Sequence, residues 1–354
     1  MDLGPSGWVA RAQTRVGTSI RGKYLIERLL GVGAMGAVYE CTHRNGMRAA
    51  LKLLHPEIAN NTEVKLRFLR EGRIANRIQH AGVVRVFDDD ETEDHLPFLV
   101  MELLEGRTVE AEFLAAGSRL EILRVVQIVD ALLDVLDAAH AAGVVHRDIK
   151  PDNVFLTQGA LKVLDFGIAR LTDSLSFTKS GEMMGTPEFV APEQAAGRIH
   201  DIDPRSDIFS VGAMMFTLLS GQYVQKARGA IEYMLFAATR PARLTFEVLP
   251  NIEPDVARVI DVALSFEKEN RWASAKQMQH ELRAAAAALE PTEQAAGGLP
   301  RALREEYERR RAAAQDAPDG KTVPAPPPPL GSLTRTLVLD PAPSSEPIPL
   351  KPRR

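Results

Sequence analysis

The alternation of apolar and polar positions divides the chain into a strand-rich part and a helical part. Short apolar stretches bounded by glycine or polar residues occupy 24–30, 37–42 and 47–54, and two more lie at 83–88 and 98–103. Stretches of this length are typical of strands. Between them, apolar residues at 64, 68, 74 and 78 recur at helical spacing and predict a helix over 62–79, which Thr62 would cap. The first hundred residues therefore predict five strands and one helix, preceded by a flexible segment over 1–22.

Beyond Gly106 the apolar positions follow a helical period. The spacing predicts helices over 120–142, 204–220, 254–266 and 278–289. The overall pattern predicts an α+β fold with two lobes, a small antiparallel sheet with one helix over 23–103 and a larger helical lobe over 107–289. The two lobes would join near residues 102–106.

The composition changes again over 290–354. A charged stretch at 300–315 could form an exposed helix, and eleven of the 23 prolines lie between 318 and 352. Proline at this density prevents helices and strand ladders, which predicts a disordered or polyproline tail.

Charge and cysteine content narrow the classes of function. The formal net charge is −4, which gives a nucleic-acid role no electrostatic support. The single cysteine, Cys41, excludes a disulfide framework within the chain and favours a reducing compartment. The sequence contains neither a secretory signal pattern nor eighteen consecutive apolar residues, so we expect a cytoplasmic protein without a membrane span.

A glycine-rich motif lies between the first two predicted strands. Residues 31–38 read GVGAMGAV, which matches G-x-G-x-x-G-x-V. Three glycines at this spacing could also mark a dinucleotide site, but such a site needs a helix after the third glycine. Here 37–41 continues as a strand and the next strand ends at Lys52. The segment therefore predicts a hairpin whose turn brings backbone N–H groups to phosphate oxygens.

Two further motifs carry oxygen-bearing side chains at the spacing used in phosphoryl transfer. Residues 146–153 read HRDIKPDN, and DFG follows at 165–167. Asp148 could orient a hydroxyl nucleophile, while Asn153 and Asp165 could hold Mg²⁺ on the phosphates of ATP. Amide and carboxylate oxygens suit Mg²⁺ rather than a soft metal.

On these motifs, the chain over about 24–289 resembles protein kinases of the Ser/Thr type, in particular the eukaryotic-like kinases of bacteria. The resemblance implies ATP as the phosphoryl donor, Mg²⁺ as the metal with Mn²⁺ as an alternative, and proteins bearing Ser or Thr as substrates. It implies catalytic roles for Asp148, Lys150, Lys52 and Glu71, in which Glu71 positions Lys52 by an ion pair. His146 and Phe166 would be packing residues.

The resemblance also implies a nucleotide site between the lobes. Val38 and Ala50 would cover the adenine, Phe155 would lie beneath it, and backbone groups of Glu102 and Leu104 would bind its edge. The residues implied to contact nucleotide are Leu30, Gly31, Val32, Gly33, Ala34, Met35, Gly36, Ala37, Val38, Ala50, Lys52, Met101, Glu102, Leu104 and Phe155.

The segment from Asp165 to Glu193 resembles a kinase activation segment. It ends in GTPEFVAPE at 185–193, and Thr186 together with Lys150 fits the Ser/Thr class. Arg147 before Asp148 implies control by phosphorylation, since an arginine there can pair with a phosphate, and we favour Thr178 and Ser176 as the autophosphorylated residues. The resemblance also pairs Glu193 with Arg271 and makes Asp207 an anchor for the loop at 146–148.

Two other functions stay open. A pseudokinase scaffold would bind nucleotide without catalysis, but the usual sign, a lost lysine, aspartate or asparagine, is absent. A small-molecule kinase of related fold fits less well with the 185–193 string. In the tail, TRTLVLD at 334–340 or the prolines at 326–329 could bind a phosphothreonine-reading or polyproline-binding partner, although an inert linker is the simpler interpretation. Dimerisation through the small lobes is known in this family, so a homodimer is a candidate assembly.

Overall fold

A six-stranded antiparallel sheet forms the small lobe. The computed structural model describes residues 5–166, 187–287 and 289, with the side chains of residues 5, 6 and 71 outside that description. The strands lie in the order β1-β2-β3-β4-β6-β5. Their bounds are β1 (Ser19–Ile20), β2 (Tyr24–Val32), β3 (Gly36–His43), β4 (Arg48–Leu54), β5 (Val86–Glu91) and β6 (Pro97–Met101).

The two faces of this sheet are covered by different helices. On the outer face, alternate residues of β2, β3, β4 and β6 bury a cluster that includes Tyr39, Leu51 and Phe98, and helix α1 (Pro5–Gln13) adds Ala12 to it. On the inner face, α3 (Thr62–Ala75) packs Phe68 against β4 and β6. The short helix α2 (Pro56–Ala59) lies between β4 and α3. The period of two along each strand produces these two apolar layers.

The structure differs from the sequence prediction at four places in this lobe. Helix α3 ends at Ala75, whereas the apolar spacing predicted a helix to residue 79. The segment predicted to be flexible over 1–22 contains α1 and β1, whose residues Ala12 and Ile20 are buried in the outer cluster. Helix α3 is capped by the Asn61 side chain, which accepts from the N–H groups of Glu63 and Val64, so the prediction of Thr62 as the cap was wrong.

The last strand of the sheet also begins later than predicted. Val83 forms a bridge to Val163 instead, and β5 begins at Val86 and runs through three aspartates to Glu91. An edge strand can carry charge because one of its sides faces solvent. Basic side chains of α3 offset part of the negative charge of this strand, because Arg73 pairs with Asp89 and Lys65 pairs with Glu91.

The larger lobe is helical and is built around one helix that is buried on all sides. Every residue from Ser206 to Ser220 of α7 (Pro204–Ser220) is buried, as expected of a helix inside a core. The Asp203 side chain caps its first turn, and Gly221 ends it in the left-handed conformation with φ at 70°. The other helices are α4 (Val109–Ala115), α5 (Ile122–Ala141), α6 (Pro192–Ala195), α8 (Ala230–Thr239), α9 (Thr245–Val248), α10 (Pro254–Ala263) and α11 (Ala275–Ala287).

A small three-stranded sheet packs against α4 and α5 of the helical lobe, and its strands lie in the order β7-β8-β9. It consists of β7 (Gly106–Thr108), β8 (Val154–Thr157) and β9 (Leu161–Val163). The two-lobed α+β fold predicted from the pattern is therefore present. The helix proposed over 300–315 and the proline-rich tail lie outside the described residues. In the part of the chain that is described, no helix combines the length and the apolarity needed to cross a bilayer.

A buried ion pair joins α6 to the segment before α11. Both Arg271 Nη atoms lie 2.8 Å from the Glu193 carboxylate, and the two side chains are 0% and 3% exposed. Burial alone would raise the pKa of Glu193, but hydrogen bonds and charge from Arg271 outweigh it and hold this pKa below its ordinary value. The pairing predicted from the sequence is confirmed.

Breaking this pair should destabilise the helical lobe. Replacing Arg271 by Met leaves Glu193 buried without its cation, which we expect to lower the free energy of unfolding by about 3–5 kcal/mol. Thermal unfolding followed by circular dichroism measures this. Arg283→Met is the matched control, because Arg283 pairs with Asp130 at the surface and is 61% exposed. Equal losses of Tm in the two variants would contradict the buried pair as the source of stability.

Candidate active site

The glycine-rich segment forms the turn between β2 and β3. Gly31 lies opposite Val38 and Val32 opposite Ala37, and the Gly33 N–H donates to the Gly36 carbonyl at 2.8 Å. The chain continues from Gly36 as a strand, so the predicted hairpin is confirmed and the helix required by a dinucleotide site is missing. A side chain at Gly36 would place its Cβ 2.1 Å from the Leu53 carbonyl oxygen, so only glycine fits where β3 passes β4.

The residues implied to contact nucleotide divide between the two faces of the sheet. In the β3–β4 register Val38 lies opposite Lys52 and Glu40 opposite Ala50, which places Val38, Ala50 and Lys52 on the inner face. Met35 packs against the inner cluster. Ala37 is buried in the outer cluster and Val32 packs against it, so these two can offer only backbone atoms to a nucleotide. Leu30 and Gly31 lie on β2, and Ala34 lies in the turn.

Lys52 connects the small lobe to the start of the DFG motif. Its Nζ lies 2.5 Å from Asp165 Oδ1, and the Lys52 side chain is 12% exposed while that of Asp165 is 49% exposed. Glu71 belongs to α3, which packs on the same face of the sheet as Lys52. The Glu71 side chain lies outside the described residues, so its pairing with Lys52 stays a prediction.

One buried carboxylate shapes the loop at 146–148. Asp207 of α7 is fully buried and accepts hydrogen bonds from the backbone N–H groups of His146 and Arg147 at 2.8 and 2.7 Å. The His140 ring lies 2.8 Å from the same carboxylate. The anchoring role predicted for Asp207 is confirmed, and it fixes the backbone immediately before Asp148.

Two side chains, those of Asn153 and Lys150, lie next to the Asp148 carboxylate. Asn153 Nδ2 donates to the Asp148 carbonyl at 2.7 Å and to Asp148 Oδ2 at 3.0 Å. Lys150 Nζ lies 3.5 Å from the same Oδ2, and Lys150 is 7% exposed. The loop therefore presents a carboxylate, a cation and an amide within one hydrogen-bonded group.

The β8–β9 hairpin brings the predicted metal ligands to the same place. Val154 pairs with Val163, so Asn153 just before β8 and Asp165 just after β9 end up adjacent, and the Leu164 N–H donates to the Asn153 carbonyl at 2.9 Å. Asp165 holds φ at +46° and Arg147 at +68°, in the left-handed region that non-glycine residues rarely adopt. Such conformations persist where surrounding contacts impose them, often at functional sites.

The segment between the lobes is held where it leaves β6. The Glu102 N–H donates to the Arg85 carbonyl at 2.9 Å, and Met101 pairs with Ala50 across β6 and β4. The Glu102 carboxylate lies 2.7 Å from Lys162 Nζ on β9, in the other lobe. The ion pair between Lys162 and Glu102 was not predicted, because the sequence around a single lysine in a strand does not indicate which distant carboxylate it will meet.

Two further residues implied to contact adenine lie near this connection. Phe155 pairs with the same Lys162 in the β8–β9 hairpin, and Leu104 lies between β6 and β7.

His146 and Phe166 are packing residues, as expected. Both are buried, their rings lie 4.8 Å apart, and His146 Nε2 is 2.9 Å from the Leu164 carbonyl oxygen. Burial lowers the pKa of His146, which keeps its ring neutral. The neutral ring therefore packs against Phe166 and bonds the carbonyl of Leu164, the residue directly before Asp165.

Arg147 carries a guanidinium with incomplete hydrogen bonding. Its Nε and Nη1 are buried and have no hydrogen-bond partner among residues 5–166 and 187–287, and burial lowers its pKa. Its carbonyl accepts from Gln194 Nε2 at 3.0 Å, which joins the loop to α6. The favoured phosphorylation sites, Thr178 and Ser176, lie outside the described residues.

Acidic side chains near Lys150 were not singled out from the sequence. Burial, together with the charges of Asp152 and Glu188, raises the pKa of Glu110 to about 7. Burial likewise raises the pKa values of Asp152 and Glu188, while the charge of Lys150 lowers them. Three partly buried acidic side chains therefore lie within electrostatic reach of Lys150.

Comparison with known proteins is consistent with this geometry. The family model described as protein kinase domain matches residues 24–282. The chain is 38% identical over 273 residues to serine/threonine-protein kinase Pkn1 of Myxococcus xanthus, which covers 75% of this chain and 38% of that protein. It is 35% identical over 256 residues to serine/threonine-protein kinase PknA of Mycobacterium tuberculosis, covering 71% and 58%.

A solved structure shares the fold. The crystal structure of the Mycobacterium tuberculosis PknI kinase domain is 28% identical, has a TM-score of 0.59, and is matched over 77% of this chain and 98% of that domain. The chain spans 38% of the length of Pkn1 and 58% of the length of PknA. Because the protein kinase domain model covers more than half of the residues, this chain belongs to the protein kinase family, and the two relatives named above are bacterial serine/threonine kinases.

Proposed function

We propose that this protein transfers the γ-phosphoryl group of ATP to Ser and Thr hydroxyls of proteins. The observation that carries the proposal is the convergence of Lys52 on Asp165 and of Lys150 and Asn153 on Asp148. These pairs place two cations, two carboxylates and an amide at the boundary between the lobes. Phosphoryl transfer depends on such positioning and charge compensation more than on covalent chemistry by the protein.

Asp148 orients the attacking hydroxyl in this proposal and accepts its proton. Asn153 holds one oxygen of the carboxylate at 3.0 Å, and Asp207 fixes the backbone that precedes it. Lys150 then lies where charge accumulates on the group in transfer. A cation there favours the transition state over the ground state, which is the condition for rate acceleration.

The donor set at the DFG motif fits a hard divalent cation. Asn153 and Asp165 supply amide and carboxylate oxygens on adjacent backbone segments, and Asp165 is half exposed. Mg²⁺, or Mn²⁺ as an alternative, is commonly held by one or two such groups together with phosphates. When bound, the metal supplies positive charge to the phosphate oxygens. Lys52 would pair with the α- and β-phosphates, and Glu71 would hold Lys52 in place.

Arg147 supports control by phosphorylation of the segment that follows the DFG motif. Two buried nitrogens of its guanidinium have no partner among the described residues, and a phosphate group would satisfy them. We therefore keep Thr178 and Ser176 as the proposed autophosphorylation sites. Domain bounds of 23–289, with 290–354 as a tail, belong to the same proposal.

The proposed partners beyond substrates concern the tail and the small lobe. The tail would bind a phosphothreonine-reading or polyproline-binding domain, and a homodimer would form through the small lobes. Cys41 is a buried free thiol, which supports action in the cytoplasm.

Replacing Asp148 by Asn should strongly slow phosphoryl transfer without abolishing nucleotide binding. We expect kcat to fall by about 10²–10⁴-fold, because Asn can neither accept the proton nor carry the charge. Radiolabel transfer from ATP to a generic basic protein measures the rate, and calorimetry measures binding. Asp134→Asn is the control, since Asp134 is 62% exposed on α5. A wild-type protein that binds nucleotide and transfers nothing would instead support the pseudokinase alternative.

Asp207→Asn tests the anchor separately. The amide offers only one acceptor to two N–H groups, so we expect about 1–3 kcal/mol of lost stability and faster hydrogen exchange at residues 146–148. The value of kcat should fall more than the affinity for ATP, because the loop before Asp148 loosens. Asp134→Asn again serves as the control. Unchanged exchange at 146–148 would contradict the anchoring role.

Phosphosite mapping after incubation with Mg·ATP tests the activation segment. We expect phosphate at Thr178 or Ser176, and none in the Asp148→Asn protein. Arg147→Met should lose the gain in activity that phosphorylation brings, because the phosphate then lacks its cation. Phosphorylation confined to other residues would overturn the assignment of these two sites.

A further inference from the structure

A single histidine connects the N-terminal helix to the glycine-rich turn. His55 follows β4 directly and is 6% exposed. Its ring stacks on Trp8 of α1, with the ring centroids 4.9 Å apart and the planes at 34°. Its Nε2 lies 2.9 Å from the Gly33 carbonyl oxygen. None of these contacts was expected from the sequence.

The chemistry of this contact fixes the state of the imidazole. A carbonyl oxygen can only accept, so Nε2 carries the proton and donates it to Gly33. Burial lowers the pKa of His55, which keeps the ring neutral near pH 7. The ring therefore acts as a neutral hydrogen-bond donor between an aromatic surface and the turn.

The backbone of the same residue holds the other end of the turn. The His55 N–H donates to the Met35 carbonyl at 2.9 Å. Two carbonyl groups of the turn, those of Gly33 and Met35, are thus bound by one residue. In a trans peptide the C=O and the following N–H point in opposite directions. Fixing the Gly33 carbonyl on His55 therefore turns the Ala34 N–H away from His55, where it can meet a phosphate oxygen.

Helix α1 is held against the sheet by contacts that do not involve His55. Ala12 is buried in the outer cluster, and its carbonyl accepts from the Tyr39 hydroxyl at 3.2 Å. Arg11 pairs with Glu57, two residues after His55, and Arg15 pairs with Asp94 at 2.6 Å. These contacts keep Trp8 over the imidazole, so docking of α1 and the geometry of the turn are linked through one ring.

We propose that His55 is a positioning residue for nucleotide binding and that Trp8 of α1 holds its imidazole in place. The proposal rests on the proposed kinase function, because it assigns the turn at 33–36 to the phosphates. The N-terminal segment over 5–20 then supports the nucleotide site.

The test compares His55→Leu and His55→Gln with Trp8→Ala and Trp8→Phe in the full chain. Leu removes the donor, whereas the Gln side-chain amide can still donate to Gly33. We expect KM for ATP to rise about fivefold to tenfold in His55→Leu and about threefold in Trp8→Ala, with kcat within about twofold of wild type. His55→Gln and Trp8→Phe should restore most of the loss. Calorimetry with Mg²⁺ and a non-hydrolysable ATP analogue should show matching changes in Kd.

Two controls separate positioning from general loss of stability. Val9→Ala alters an exposed residue of α1 beside Trp8, and Ile26→Val weakens the outer cluster far from the turn. Both should leave KM unchanged, even where Tm falls. The inference is overturned if wild type is active and His55→Leu and Trp8→Ala keep its KM and Kd, or if Ile26→Val raises KM as much as they do. A wild type that binds the analogue without transferring phosphate would refute the kinase function alone, and Kd would still decide the role of His55.

Discussion

The buried carboxylate of Asp207 is the contact on which the arrangement of the cleft depends. It lies on α7, the one helix buried from Ser206 to Ser220, so its position is fixed by the whole helical lobe. From there it binds the N–H groups of His146 and Arg147 and faces His140. A charge buried this deeply is tolerated because several donors satisfy it. The packing of the core thereby fixes the backbone of the loop at 146–148.

The same principle recurs at two other places in the large lobe. Glu193 and Arg271 satisfy one another in the interior, with Ser206 as a further donor to Glu193. Asn153 uses its amide to hold Asp148, while its carbonyl accepts from Leu164. In each case a polar group within the apolar structure selects one arrangement of the backbone. The apolar contacts supply most of the stability, and the polar contacts determine which loop lies where.

Local patterns were sufficient to predict the longer helices α3, α5, α7, α10 and α11, the strands β2, β3, β4 and β6, and the motif residues. Helix α7 begins and ends at the predicted residues because Pro204 and Gly221 mark its ends in the sequence. The strands around the glycine motif follow from their alternation. The site residues were identified by motif resemblance, and the structure brings Lys52, Asp148, Asn153 and Asp165 together. Their roles in catalysis remain predictions.

The features that the sequence did not reveal depend on contacts between distant residues. Helix α1 is short, and Ala12 is buried only because the outer face of the sheet covers it. The acidic strand β5 forms because basic side chains and an edge position accept its charge. No local pattern predicts that His55 contacts Gly33 or that Lys162 pairs with Glu102, because His55 and Lys162 belong to no motif.

The ion pair between Glu102 and Lys162 has a mechanical consequence for the cleft. It spans the connection between the lobes, with the lysine on β9 shortly before the DFG motif and the glutamate directly after β6 of the six-stranded sheet. Rotation of one lobe away from the other about this connection would separate the two charges. The electrostatic attraction of the pair therefore opposes such a rotation. Because Glu102 is 29% exposed, dissolved salt screens part of the attraction. The strength with which this pair links the two lobes should therefore decrease as ionic strength rises.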